Sequence, residues 1–147
     1  MIYDLLLADR AKTTNKEKEQ CKLLIPIITT FSEKARIKGL LSLEYDRDID
    51  QIEDPILKQG LQLIVDGTDP EIIKNILSTH IYYGGYKGQR LLELIMILDG
   101  VLMLQAGDHP SLVTMQLTAY LGIKPTIDKI DTTEFEEYVK NLSQKNI

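Results

Sequence analysis

The chain reads GLQLIVDGTDPEIIKNIL at residues 60–77 and, forty residues on, GVLMLQAGDHPSLVTMQL at 100–117. Gly60, Gly67, Pro70 and Leu77 recur without a gap as Gly100, Gly107, Pro110 and Leu117. Four identities in eighteen positions exceed the one or so that composition alone gives. Each copy carries a complete set of helix instructions. An apolar run at helical spacing leads to a glycine, which supplies the left-handed residue that ends a helix. Three residues later a proline opens the next helix, where its missing N–H leaves nothing unsatisfied. Asp69 before Pro70 adds an N-cap, and Glu71 favours the positive helix end. Common punctuation and true duplication both explain the match, since Gly-x-x-Pro joins many helix hairpins.

The same signals extend outward. Asp54-Pro55 opens a helix running to about Asp66. Ile72, Ile73, Ile76, Leu77 and Ile81 fall at helical spacing after Pro70. YYGGYKGQ (82–89) breaks the chain, and a long helix covers about Arg90 to Ala106. Gly107 ends it, and Pro110 starts another with Leu112, Val113, Leu117 and Leu121 inward. GIKPT (122–126) reads as a turn. TTEFEEYVKNL (132–142) reads as a last helix capped by Thr132, with Phe135, Tyr138, Val139 and Leu142 on one face. Upstream, Glu17 to Leu43 is mostly helical, with Leu24, Ile27, Ile28, Phe31, Ala35 and Ile37 or Lys38 near one stripe. Pro26 either starts that helix or kinks it. AKTTNKEKEQ (11–20) reads as a solvated link or frayed helix start, and EYDRDIDQIED (44–54) as a loop or exposed helix end.

No stretch alternates with period two. The fold class is therefore all-α, an irregular antiparallel bundle of about five to six helices. It forms a single domain over 1–147, with 1–16 a candidate flexible lead and 122–147 a C-terminal extension. Ile64, Ile73, Leu77, Leu98, Leu102 and Leu117 are the expected core. The stripe at Leu94, Ile97, Leu98, Val101 and Leu104 is expected to be core first. Because the second copy is nearly uncharged between Asp99 and Asp108, the 91–106 helix is also a candidate homo-oligomer surface.

At 147 residues the chain can bury a working core, and its composition is that of an ordinary globular protein. A net charge of −5 argues against nucleic acid held by phosphate contacts. Cys21 is the only cysteine, so no intrachain disulfide can form. LLELIMILDGVLMLQA (91–106) is interrupted by Glu93 and Asp99 and is shorter than the ~20 residues of a spanning helix. MIYDLLLADR lacks the basic start and cleavage site of a signal peptide. The expectation is a cytoplasmic protein with no transmembrane segment.

No catalytic set is legible. His80 and His109 have no Cys or carboxylate partners at metal spacing. GGYKGQR (84–90) lacks the Gly-Lys-Ser/Thr of a phosphate loop and reads better as a connector. The acidic run from Asp46 to Asp54 lacks the glycine of a calcium loop and reads as a solvated face. No cofactor and no metal are expected, and the remaining classes are an interaction module or a structural subunit.

Three segments carry a resemblance: EKARIKGLLSLE (33–44), DPILKQGLQLIVDGTDPEIIKNIL (54–77) and ILDGVLMLQAGDHPSLVTMQLTAYL (97–121). Together they resemble the flagellar stator A-subunit family, of the MotA/PomA type, with LQLIVDGTDPE (61–71) the most specific string. The first two resemble that family's large cytoplasmic loop, and the third its cytoplasmic tail. The family's membrane helices have no counterpart between the second and third segments, where the chain holds only STHIYYGGYKGQRLLEL (78–94). The resemblance implies a MotA-like cytoplasmic domain, at the flagellar base, that binds a rotor switch protein or stator subunit and conducts no ions. By position it also implies that Arg36 and Glu44 make the charged rotor contacts, with Lys38 and Arg47 near the rim. On a continuous helix Arg36 and Glu44 would lie about 80° apart, so they also fit an ordinary solvated face. Two other readings stay open. One is a related helical scaffold recruited to a non-flagellar complex. The other is the cytoplasmic part of a stator subunit whose membrane helices are deleted.

Overall fold

One helix is the wall on which nearly everything else is hung. In the computed structural model, which describes residues 4–45, 48–122, 140–142 and 144, α6 spans Gly88–Ala106. Every residue of α6 from Leu94 to Val101 is buried, more than two full turns, so it has no solvent face there. Around it pack α2 (Asn15–Cys21), α3 (Leu24–Lys38), α4 (Pro55–Val65), α5 (Pro70–Tyr83) and α7 (Pro110–Ala119). A short α1 (Leu5–Arg10) completes seven α-helices among the described residues, which contain no strand. The apolar stripe of α6 is thus spent inside its own chain. From Leu94 to Val101 it offers no surface to a second copy, and only the ends of the 91–106 helix are partly open.

The repeated phrase folds twice into the same hairpin, α4–α5 and α6–α7. Gly67 and Gly107 take left-handed backbone, φ +73° and +77°, which a side chain would strain. In the first hairpin Gly67 N donates to the Ile64 carbonyl at 3.0 Å and Thr68 N to Leu63 at 3.0 Å. In the second, Gly107 N donates to Leu104 at 3.1 Å and Asp108 N to Met103 at 3.1 Å. This paired pattern satisfies the carbonyls a helix end otherwise orphans. Each proline helix is then capped from the side chain before it. The Asp69 carboxylate accepts from Glu71 N at 2.9 Å, and His109 Nδ1 accepts from Ser111 N at 3.1 Å. The buried set repeats too: Leu57, Leu61, Ile64, Ile73, Leu77 and Ile81 match Ile97, Val101, Leu104, Val113, Leu117 and Leu121. Gly60 sits where α4 meets α6. A Cβ there would lie 2.9 Å from Val101 Cγ2.

Polar breaks in the apolar sequence of α6 have partners. The Asp99 carboxylate, 7% exposed, accepts from Gln116 Nε2 at 2.8 Å and from the Tyr120 hydroxyl at 2.7 Å, tying α6 to α7. Gln105 Nε2 donates to the Thr68 carbonyl at 2.8 Å, across to the first hairpin's turn. Cys21 is buried, and burial, with Glu93 and Glu17 nearby, pushes its thiol up to about 11.

Several sequence expectations change. The candidate flexible lead over 1–16 contains α1, which buries Leu7, and of the two readings of 11–20 the helix start holds, as α2 is opened by a reciprocal capping box between Thr14 and Glu17. The mostly helical run from Glu17 to Leu43 is divided, with the chain turning at Lys22 and Leu23 and again at Gly39. Pro26 falls in the first turn of α3, where the absent N–H is tolerated, so it starts the helix. Ile27 and Ile37 on the predicted stripe are 37% and 73% exposed. Leu112 faces outward and Leu102 is half-buried, because the neighbouring positions Val113 and Val101 take the inward direction. The acidic segment forms two 3₁₀ turns, Leu40–Tyr45 and Ile49–Gln51, anchored by buried Leu43 and Ile49. Of the expected last helix, residues 140–142 are helical and Leu142 is exposed. Thr132, Phe135, Tyr138 and Val139 lie outside the described residues.

Candidate functional site

The residues singled out by resemblance gather where α3 ends. Arg36, Ile37 and Lys38 form its last exposed turn. Gly39 stops the helix, its N–H donating to the Ala35 carbonyl at 2.7 Å, and the chain folds back as the 3₁₀ turn. Ser42 Oγ donates to the Gly39 carbonyl at 2.6 Å and Leu43 plugs into the core at 1% exposure, so the turn is fixed at both points. That anchoring leaves Leu41 and Glu44 outside. Arg36 and Glu44 therefore belong to different elements, and the 80° spacing of a continuous helix does not apply to them.

The patch combines two cations, one carboxylate and two exposed aliphatic side chains, Ile37 and Leu41 at 73% and 72%. Arg36, Lys38 and Glu44 make no hydrogen bond or ion pair with the described residues. Arg47 lies outside the described residues. One turn back on α3, Lys34 pairs with Asp48 at 2.5 Å and stands 5.4 Å over the Phe31 ring, which holds the second 3₁₀ turn against the helix. An unpaired charge beside exposed apolar surface can meet a partner without first breaking an internal contact.

A second polar cluster performs a structural task. The Asp54 carboxylate caps α4, accepting from Ile56 N at 3.0 Å and Leu57 N at 3.2 Å. Arg90 on α6 grips the same carboxylate with both terminal nitrogens, at 2.5 and 3.2 Å, and reaches Glu93 at 3.0 Å. The glycine-rich connector before it is a defined turn, with the Tyr86 carbonyl accepting from Arg10 at 2.9 Å. Arg90 is thus engaged by the Asp54 and Glu93 carboxylates. Sequence reading found the Asp54 cap but not the arginine that clamps it, since thirty-six residues separate them.

Burial pushes the Asp54 carboxyl up, but the Arg90 guanidinium and the backbone N–H groups of Leu57 and Ile56 outweigh it. The net effect holds Asp54 below its ordinary value of 3.8. Its stabilising contribution is complete above that ordinary value and is lost as pH falls through the lower folded value. The Asp54→Asn variant keeps a capping oxygen but loses the titration. Its urea-unfolding stability should fall less steeply than wild type below about pH 4. Parallel acid limbs in the two proteins would show that Asp54 does not carry this dependence.

With the geometry in place, the relatives can be compared. The chain is 52% identical over 54 residues to Motility protein A of Borreliella burgdorferi, which covers 37% of this chain and 20% of that protein. It is 28% identical over 121 residues to Motility protein A of Bacillus subtilis, covering 81% of this chain and 41% of the relative.

The chain is similar to Motility protein A over part of that protein's length.

It is also 38% identical over 66 residues, 45% of this chain and 24% of the relative, to the uncharacterized protein YtxD of Bacillus subtilis. The chain therefore spans between a fifth and about two-fifths of the length of these curated relatives. No family profile matches it, and no solved structure matches it significantly. Among the described residues no helix is long and apolar enough to cross a membrane.

Proposed function

We propose that the chain is a stator-like interaction protein of the flagellar motility system, neither an enzyme nor an ion conductor. It docks onto a rotor switch protein or a stator subunit on the cytoplasmic side of the flagellar base. The likeness to Motility protein A carries this reading. The state of the patch supports it: Arg36, Lys38 and Glu44 are exposed, unpaired among the described residues, and flank the exposed Ile37 and Leu41. The resemblance also implicates Arg47, which lies outside the described residues. Arginine suits such a contact because its planar fork meets a carboxylate directionally. The partner surface accordingly presents at least one carboxylate opposite Arg36 and one cation opposite Glu44.

Calorimetric titration against rotor and stator components from the same cell tests the reading. An exposed ion pair is worth ~0–1 kcal/mol, so Arg36→Glu should weaken binding by up to about fivefold. A carboxylate-to-lysine change on the partner should restore part of it. Glu44→Lys should be rescued by the opposite partner change. Affinity should fall as salt shortens the ~10 Å screening length found at 0.1 M. Fold and stability should survive both changes, since exposed single charges shift stability by ~0.5 kcal/mol or less. Binding to none of these components, or binding indifferent to both reversals, would replace this reading with the scaffold one.

A further inference from the structure

At the opposite end of α3 from the charged patch, a groove of about 700 Å³ opens between α2, α3, the second 3₁₀ turn and the starts of α4 and α6. Its floor is apolar and fixed, with Leu24 and Leu57 both buried in the core. Its wall is apolar and open. Leu23, at 66% exposure, and Ile27, at 37%, stand one turn apart on the entry to α3, with half-buried Ile52 from the exit of the 3₁₀ turn. Large aliphatic side chains grouped at the mouth of a groove are what a binding surface exposes and what an isolated surface residue does not.

The rim is acidic. Glu53, Asp54 and Glu93 all line the groove, and no lysine, arginine or histidine does. Asp54 and Glu93 share the Arg90 guanidinium behind them, so three carboxylates against one cation leave two negative charges. Glu53 is exposed and has no partner among the described residues. Gln20 and Gln89, bonded to each other at 2.9 Å, add polar groups that bridge α2 and α6 there. An apolar floor with an acidic rim and no basic residue selects for the complementary chemistry. The described residues offer no strand edge on which a peptide could add as a strand, and apolar side chains one turn apart beside an apolar floor suit the helix-in-groove mode.

We propose that this groove takes a basic amphipathic helix from a partner protein. The helix sets apolar anchors, one turn apart, against Leu23, Ile27 and Ile52 and directs lysine or arginine toward Glu53 and Glu93. This surface is separate from the Arg36 patch, which lies roughly 14–20 Å further along α3. The chain would then engage two partners, or two parts of one partner, at the two ends of a single helix.

The probe is a fluorescent synthetic helix with leucine at i, i+3, i+4 and i+7 and lysine elsewhere, titrated into the full chain by anisotropy. Its contact surface is mapped by amide chemical-shift changes. Binding should shift amides of residues 20–27 and 51–57, and a glutamate-for-lysine version of the peptide should not bind. Ile27→Ser and Glu53→Lys should each weaken binding about tenfold, the equivalent of ~1.4 kcal/mol. Glu71→Lys, the same charge change on the exposed first turn of α5, should leave it within about twofold. Both groove residues are solvent-accessible, so the variants should keep the wild-type circular dichroism. Three results would overturn the proposal. Glu71→Lys could weaken binding as much as Glu53→Lys, which is generic charge attraction. The shifts could map elsewhere. Sedimentation could reveal a dimer that Ile27→Ser abolishes, which would make the groove an interface between copies of this chain.

Discussion

Leu98→Ala should lower the unfolding free energy by about 2–5 kcal/mol. Leu98 lies in the middle of α6, 2% exposed, with buried neighbours on both sides along the helix. Truncation removes three buried carbons from a site whose walls are set by other helices. The cost is therefore lost transfer energy plus a cavity that cannot close. A domain of this size is stable by about 5–15 kcal/mol in total, so the loss is a large share. Urea unfolding followed by circular dichroism reads it as a fall in midpoint at unchanged slope. Leu112→Ala is the comparison. Leu112 is 51% exposed, and its truncation should cost under about 1 kcal/mol. A loss below ~1 kcal/mol at Leu98 would mean that α6 is not the central helix.

Gly60→Ala should also destabilise, against the usual expectation for a glycine inside a helix. Alanine ordinarily gains about 1 kcal/mol over glycine there. Here the new methyl would lie 2.9 Å from Val101 Cγ2 and 3.3 Å from Val101 Cγ1. Valine on a helix has essentially one rotamer, so neither methyl can swing aside and the two helices must part. Overpacking of this kind typically costs about 1–3 kcal/mol, which exceeds the propensity gain at its upper end. The decisive measurement is a double-mutant cycle with Val101→Ala, which removes both obstructing methyls. The pair should be more stable than the sum of the single losses by about 1 kcal/mol or more. Additivity would mean that Gly60 is not at a close approach.

Much of this architecture was legible because it is written in local rules. The Asp54-Pro55 and Asp69-Pro70 starts and the Gly67 and Gly107 stops depend on residues within four positions of each other, and each appears where its chemistry places it. The all-helical class follows from the same rules. What was missed depends on tertiary choices. Leu112 and Val113 are both apolar and adjacent, and only packing decides which turns inward. The helix over Leu5–Arg10 is too short for periodicity to reveal and is held by its Asp4 cap and by burial of Leu7. Ile49 hides in a run of aspartates, where the charge of its neighbours masks one anchoring side chain. At the patch, composition alone could not single out Arg36 and Glu44, and resemblance named them. The structure adds that they sit on two elements joined at Gly39. The groove had no sequence signature at all, since its parts come from three separated segments.

The position of α6 also governs how the molecule comes apart. It touches α2, α3, α4, α5 and α7, while α3 also packs on α7 and α4 on α5. A bundle with two independent layers can shed one and keep the other. A bundle hung on one shared helix cannot, because exposing α6 removes the buried surface of five neighbours at once. Amide hydrogen exchange should then show the buried amides of α2 to α7 opening together. The two hairpins resemble each other in detail, yet neither is a module that could be cut out and kept folded.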